Sequence, residues 1–252
     1  MKEASDGYSD EFYRALDDTS VASARAILPL VFELAPARSV VDVGCGDGAW
    51  LAAALACGAG EILGLEGPWI EEARLKIAPA QLRRVRLDQP FGIERRFDLA
   101  MSLEVAEHLP PERAGGFVEE LTRLAPLVLF SAAVPGQGGV HHFNEQWPLY
   151  WARLFAARGY RAIDILRQRV WDDPAVAFWY KQNLLLFADG SAFAAYPNLA
   201  AAAAASPLEP AALVHPDLYR RALRDAEPRL GRWLKMAPQA LRRSLARRAP
   251  EG

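Results

Sequence analysis

The feature that most constrains this chain is a strand-like run that ends in three closely spaced glycines. Val40-Val41-Asp42-Val43 leads directly into Gly44-Cys45-Gly46-Asp47-Gly48, and Trp50 to Ala56 then has helical composition. Glycines at alternate positions permit left-handed backbone and bring bare N–H groups to a helix N-terminus, where a ligand can lie against them. In an open parallel sheet, ligands gather at the carboxyl ends of the strands, which is where this turn falls. The plainer alternative is a tight strand-to-helix turn with no ligand.

The remaining pattern places that turn in an α/β fold. Strands are predicted at Ser39–Val43, Glu61–Leu65, Arg84–Leu87, Phe97–Leu103, Leu127–Phe130, Tyr160–Leu166 and Asn183–Phe187. Helices are predicted at Asp18–Leu34, kinked or reset at Pro29, and at Trp50–Ala56, Trp69–Ala80, Pro111–Leu124 and Trp147–Arg158. Strands that alternate with helices give a doubly wound, mostly parallel sheet of seven strands with helices on both faces. Residues 1–190 read as one α/β domain. Residues 191–252 read as an Ala/Pro-rich, irregular or weakly helical linker followed by a basic helical tail.

Composition narrows the class. With 52% hydrophobic and 24% charged residues, the 252-residue chain is neither disordered nor fibrous. Cys45 and Cys57 are too few for a disulfide framework or a four-thiolate zinc site. No apolar run approaches the roughly 20 residues that span a bilayer, and the polar N-terminus has no signal-peptide core, so a soluble cytoplasmic protein is expected. The net charge of −2 divides into −8 for residues 1–216 and +6 for residues 217–252. An acidic core should repel phosphate backbones, which weighs against nucleic acid as a partner.

The turn also selects its ligand. G-x-G-x-G differs from the G-x-G-x-x-G of dinucleotide sites, and no Gly-Lys-Ser/Thr follows to make a phosphate loop. Asp42 would repel phosphate but could accept from an ammonium group. Glu66, at the end of the second strand, can accept from both hydroxyls of a ribose. A ribose joined to a cationic amino acid, without phosphate, describes S-adenosylmethionine.

With these residues the chain resembles the class I S-adenosylmethionine-dependent methyltransferases, across roughly residues 39–189. That resemblance implies that Asp42, Gly44, Gly46 and Gly48 border the methionine part of the cofactor and that Glu66 holds the ribose. It also implies that Asp88, ending the third strand, lies near the adenine amine, and that Ser102-Leu103-Glu104 faces the reactive methyl. For Asp88 a helix or turn cap is the alternative.

Three of the four histidines fall in two segments that follow strand ends. One is Glu104-Val105-Ala106-Glu107-His108; if it opens a helix, Glu104, Glu107 and His108 share a face. The other runs from Pro135 to Trp147 and contains His141, His142 and Glu145. Two carboxylates and two imidazoles, Glu104, Glu107, His108 and His142, would suit a divalent ion such as Mg²⁺, Mn²⁺ or Zn²⁺. E-x-x-E-H with a later His resembles the metal site of small-RNA 2′-O-methyltransferases, and E-x-x-E-H also occurs in ubiquinone-pathway O-methyltransferases. The metal-free alternative is that Glu107 and His108 brace a helix. For the proton of an oxygen nucleophile, His142 or His141 is the preferred base and Glu145 the next candidate. Trp147, Tyr150 and Trp151 form a face that is either core or, through one exposed ring, a stacking platform.

The expected reaction is methyl transfer to a hydroxyl of a sugar, glycan or secondary metabolite. The alternatives are a metal-assisted RNA 2′-O-methyltransferase, an NAD(P)-dependent sugar oxidoreductase, and a non-catalytic partner protein that keeps the cofactor pocket. The oxidoreductase is disfavoured by the glycine spacing and by the lack of a Tyr-x-x-x-Lys pair. The tail's Arg220, Arg221, Arg224, Arg229, Arg232, Lys235, Arg242, Arg243, Arg247 and Arg248 are interleaved with Tyr219, Leu223, Leu230, Trp233 and Leu234. Such a tail suits packing on the acidic core, a homodimer contact, peripheral membrane contact or attraction of an anionic substrate.

Overall fold

The computed structural model describes residues 10–226. Residues up to His215 form one compact unit and those from Pro216 a second. In the first unit a seven-stranded sheet has the order β3-β2-β1-β4-β5-β7-β6. Its strands are β1 (Ser39–Val43), β2 (Glu61–Glu66), β3 (Leu82–Arg84), β4 (Leu99–Leu103), β5 (Leu127–Ser131), β6 (Arg161–Ile163) and β7 (Leu185–Ala188). The pairings from β3 through to β5 are parallel, whereas β7 runs antiparallel to both β5 and β6. This doubly wound, mostly parallel sheet agrees with the sequence expectation. The reversed β7, inserted before β6, departs from the 3-2-1-4-5-6 order of dinucleotide-binding sheets.

Both faces of the sheet are covered. On one face, side chains from β1, β4 and β5 pack with α1 (Asp10–Leu34), α2 (Ala49–Ala56), α7 (Gly190–Ala195) and α8 (Pro197–Ala205) in a single apolar cluster. On the other, Phe130 and Phe187 meet α3 (Ala114–Leu124) and α4 (Pro148–Ala156), with Phe155 stacked on Phe187 at 3.9 Å. Two further helices, α5 (Leu166–Val170) and α6 (Phe178–Asn183), lie in the connection between β6 and β7. Sequence reading places no helix there.

Several elements differ from expectation for local physical reasons. α1 runs unbroken through Pro29. Pro29 is exposed, so the carbonyl it leaves unpaired can turn to water. Trp69–Ala80, expected as a helix, is a loop with two short 3₁₀ turns. The Lys76 N–H donates to the Asp47 carbonyl at 2.7 Å and its ammonium pairs with the Asp47 carboxylate, so tertiary bonds replace the helical ladder. β3 falls two residues early, leaving Asp88 in the loop beyond it. Residues 190–205, expected as irregular or weakly helical linker, form α7 and α8, and Leu199, Ala202 and Ala203 of α8 join the apolar cluster that contains α1.

In the second unit, α9 (Pro216–Ala226) carries Arg220, Arg221 and Arg224, and exposes Tyr219 and Leu223 one turn apart. The basic residues from Arg229 to Arg248 lie outside the described residues. No helix among the described residues is long and apolar enough to cross a membrane.

Candidate active site

The glycine turn follows β1, and all three of its glycines have positive φ. At Gly44 (φ +84°) a Cβ would lie 2.4 Å from the Val105 side chain, so both backbone sign and space require glycine. The Gly46 N–H donates to Glu66 Oε2 at 2.8 Å, and the Gly67 N–H donates to Glu66 Oε1 at 2.7 Å. These two bonds hold the carboxylate of the buried Glu66 at the end of β2. Burial raises its pKa, while the bonds from Gly67 and Gly46 oppose that shift.

A cleft of about 690 Å³ opens beside this turn. Its lining includes Gly44, Gly46, Glu66, Trp69 and Asp88 together with Glu104, His108 and His141. Asp88 is half-exposed and paired with Arg86, which pulls its carboxyl below the usual range. Its loop is held by α3 and the turn before it. Arg113 donates to the Leu87 and Gln89 carbonyls, both at 3.1 Å, and pairs with Glu120, which in turn accepts from the Phe91 N–H at 2.8 Å.

Not every expected residue reaches the cleft. Asp42, Gly48 and Leu103 are buried and do not line it, and Glu107, His142 and Glu145 do not line it either. Asp42 is 2% exposed, and burial, with Glu66 and Asp47 nearby, holds its carboxyl well above the usual range.

Two strained residues also line the cleft. Glu104 (φ +56°) and His141 (φ +59°) are the only non-glycine residues with positive φ among those described. Such strain collects at functional sites. The left-handed turn at Glu104 breaks the expected helix, and Ala106–His108 is a single 3₁₀ turn. Glu104 therefore does not share a face with Glu107 and His108. Its carboxylate accepts from Asn183 Nδ2 at 2.9 Å and Gln137 Nε2 at 2.8 Å, and Asn183 also donates to the Gln137 carbonyl at 2.9 Å. This buried amide network engages Glu104 and removes it from the expected four-ligand set.

The other three expected ligands converge. One donor atom from each of Glu107, His108 and His142 lies within 4.8 Å of the others. Glu107 is 0% exposed, and neither of its carboxylate oxygens has a hydrogen-bond partner. Burial, and then Glu104, push its carboxyl well above the usual range. Both imidazoles are aimed through Nδ1: His108 toward the His141 carbonyl at 3.2 Å, and His142 toward Glu145 Oε1 at 2.9 Å. Glu145 is fixed by the N–H groups of Gly136 and Gly138 at 2.7 and 2.8 Å. The His142 ring also lies where a Cβ on residue 139 would be, so Gly139 makes room for it. Each ring keeps Nε2 for another partner. Holding the distal nitrogen with a carboxylate or carbonyl is how proteins orient metal-binding histidines. The donor set, two imidazoles and an uncompensated carboxylate, fits a divalent cation and favours Zn²⁺ or Mn²⁺ over Mg²⁺.

Of the aromatic trio, Trp151 is core at 2% exposure and Trp147 is the exposed member at 41%. Sequence reasoning missed Trp69 and Asn183, both brought to the site only by folding, and Gln137, quoted in its loop without a role.

No known family pattern matches the sequence, nor does any curated protein. Solved structures do match. An amino pentose methyltransferase from Micromonospora echinaspora, CalS10, superposes with a TM-score of 0.54 at 16% identity, over 74% of this chain and 99% of that one. The sugar N-methyltransferase KedS8 from a Streptoalloteichus species gives 0.53 at 17% identity, over 75% and 98%. Streptomyces venezuelae DesVI gives 0.50 at 18%, over 72% and 96%. At these identities the likeness is one of fold.

Proposed function

We propose that this chain, which has the class I methyltransferase fold, is an S-adenosylmethionine-dependent methyltransferase that methylates a hydroxyl of a sugar, glycan or secondary metabolite with help from a divalent cation. One observation carries the reading. The Gly44–Gly46 turn, Glu66, His108 and His141 line a single cleft, and Glu107 and His142 each bring a donor atom within 4.8 Å of one on His108.

The residues divide the work. Gly44 and Gly46 let the cofactor lie against backbone, Glu66 accepts from its ribose, and Asp88 accepts from the adenine amine. The sulfonium is already activated, so the chain must chiefly align acceptor oxygen, methyl carbon and sulfur. Glu107, His108 and His142 would hold the cation, which when bound supplies a lowered pKa for the acceptor hydroxyl. His142 cannot offer Nε2 both as ligand and as general base, and the unpartnered Glu107 oxygens favour the ligand role. His141, on the cleft wall, then receives the acceptor's proton. Glu145 acts through His142 as a positioning residue.

Titration calorimetry of the full-length chain with S-adenosylhomocysteine tests the cofactor assignment. One-to-one binding is expected, and no binding would defeat it. A second reading has its own support: CalS10 and KedS8, with the same fold, act on amino sugars or as a sugar N-methyltransferase. An amine nucleophile needs no acidifying cation. Transfer abolished by chelation would favour an oxygen acceptor activated by the cation. Transfer that survives chelation removes the cation from the mechanism, and identification of the methylated atom in the product then separates nitrogen from oxygen.

A further inference from the structure

Among the described residues, three acids line the cleft: Glu66, Asp88 and Glu104. Glu66 is given to the ribose, and Asp88 is paired with Arg86. Glu104 meets neutral amides instead. It also lies beside the glycine turn, since the next residue, Val105, fills the space that a Cβ on Gly44 would take. Asp42, the acid expected to meet an ammonium group, does not line the cleft.

The amides that meet Glu104 can point only one way. A backbone N–H cannot accept, so the His215 N–H, 2.9 Å from Gln182 Oε1, sets the Gln182 amide. Gln182 Nε2 must then donate to Gln137 Oε1 at 2.8 Å, which turns Gln137 Nε2 to Glu104 Oε2 at 2.8 Å. Asn183 Nδ2 reaches Glu104 Oε1 at 2.9 Å, while Asn183 Oδ1 is buried without a partner. That amide is thus aimed at the carboxylate at its own cost. All three amide residues are buried. Burial pushes the Glu104 carboxyl up, and the bonds from Asn183 and Gln137 oppose it. Neutral donors solvate a charge without cancelling it, so a positive group in the cleft would complete the compensation. Resting on the cofactor reading above, we propose that Glu104 is the receptor for the α-ammonium of the cofactor's methionine part, with Asn183 and Gln137 as the positioning residues that aim it.

Calorimetry on the full-length chain would compare S-adenosylhomocysteine with its deaminated analogue, in which hydrogen replaces the α-amino group. Glu104→Gln keeps the shape of the side chain and removes its charge. It should weaken S-adenosylhomocysteine by about 10- to 100-fold, the scale of one hydrogen bond between charged groups, and leave the deaminated compound unchanged. Asn183→Ala keeps the charge but removes an amide that aims it, and should cost about three- to tenfold with the same selectivity. Unchanged affinity for S-adenosylhomocysteine in Glu104→Gln overturns the proposal, and so do equal losses for both compounds, which would mean a structural role. If the parent chain binds both compounds alike, the cofactor reading stands and this proposal alone fails. If it binds neither, the cofactor reading itself fails and this proposal falls with it.

Discussion

Glu66 and Glu107 are both buried glutamates, one lining the cleft and the other next in sequence to its His108, yet they are supported differently. Glu66 receives two backbone N–H bonds, so its charge is partly compensated by the fold. The Glu107 carboxylate oxygens make no close hydrogen bond, and only the Glu107 and Ala133 backbone N–H groups oppose burial and the neighbouring Glu104 carboxylate. An uncompensated buried carboxylate is costly, and a chain that keeps one needs something to neutralise it. On the proposed function, Glu66 is preorganised for neutral hydroxyl donors, whereas Glu107 needs either a proton or a bound cation to be neutralised. The two buried acids therefore serve different chemistries, and their partners, rather than their burial, separate them.

The largest expected effects remove one glutamate at a time. Glu107→Gln should lower methyl transfer by about 100-fold or more through loss of the cation, while affinity for S-adenosylhomocysteine stays near the parent value. Glu66→Ala should do the reverse at the binding step and weaken S-adenosylhomocysteine by about 100-fold, from two lost hydrogen bonds to a charged group. Calorimetry and turnover, measured on both variants, check the pair together. If either substitution damages both functions equally, the division of the cleft is wrong.

Next in size is Glu145→Gln. With His142 no longer oriented by a carboxylate, cation affinity should fall about 10- to 100-fold, read by metal titration. A stability comparison follows. In chelator, Glu107→Gln should raise the melting temperature by about 2–4 °C, equivalent to ~1 kcal/mol, because it removes an uncompensated buried acid. Glu66→Gln should lower it. The pH sign is fixed by the raised Glu107 carboxyl. The folded chain keeps a proton that the unfolded chain releases, so Glu107 costs nothing at low pH and destabilises as pH rises through its folded value. Chelated parent protein should therefore lose melting temperature with rising pH more steeply than Glu107→Gln. The smallest effect is expected at Asp88: Asp88→Ala should weaken S-adenosylhomocysteine about three- to tenfold with little change in stability, since the residue is half-exposed.

The same contrast governs what could be read from the sequence. The glycine turn and Glu66 were legible because a strand stop, alternating glycines and a following helix are local requirements. Glu107, His108 and His142 were legible as residue types at strand ends, which the fold gathers on one rim. Glu104 was misassigned because a left-handed turn at a glutamate leaves no local signal. It becomes intelligible only beside Asn183, 79 residues away. The Trp69–Ala80 segment has helical composition, but its bonds to Asp47 and the seating of Ile77 against Gly48 decide otherwise. Trp69 lay in that misread segment, so its place in the cleft lining stayed hidden.

The central claim is that Glu107, His108 and His142 together hold a divalent cation. Its most direct test is equilibrium titration of metal-stripped, full-length protein with Mn²⁺ and Zn²⁺, alongside Glu107→Gln. The account predicts one ion per chain in the parent and affinity lost by about 100-fold or more in the variant. No saturable binding to the parent, or equal binding to both proteins, would contradict it.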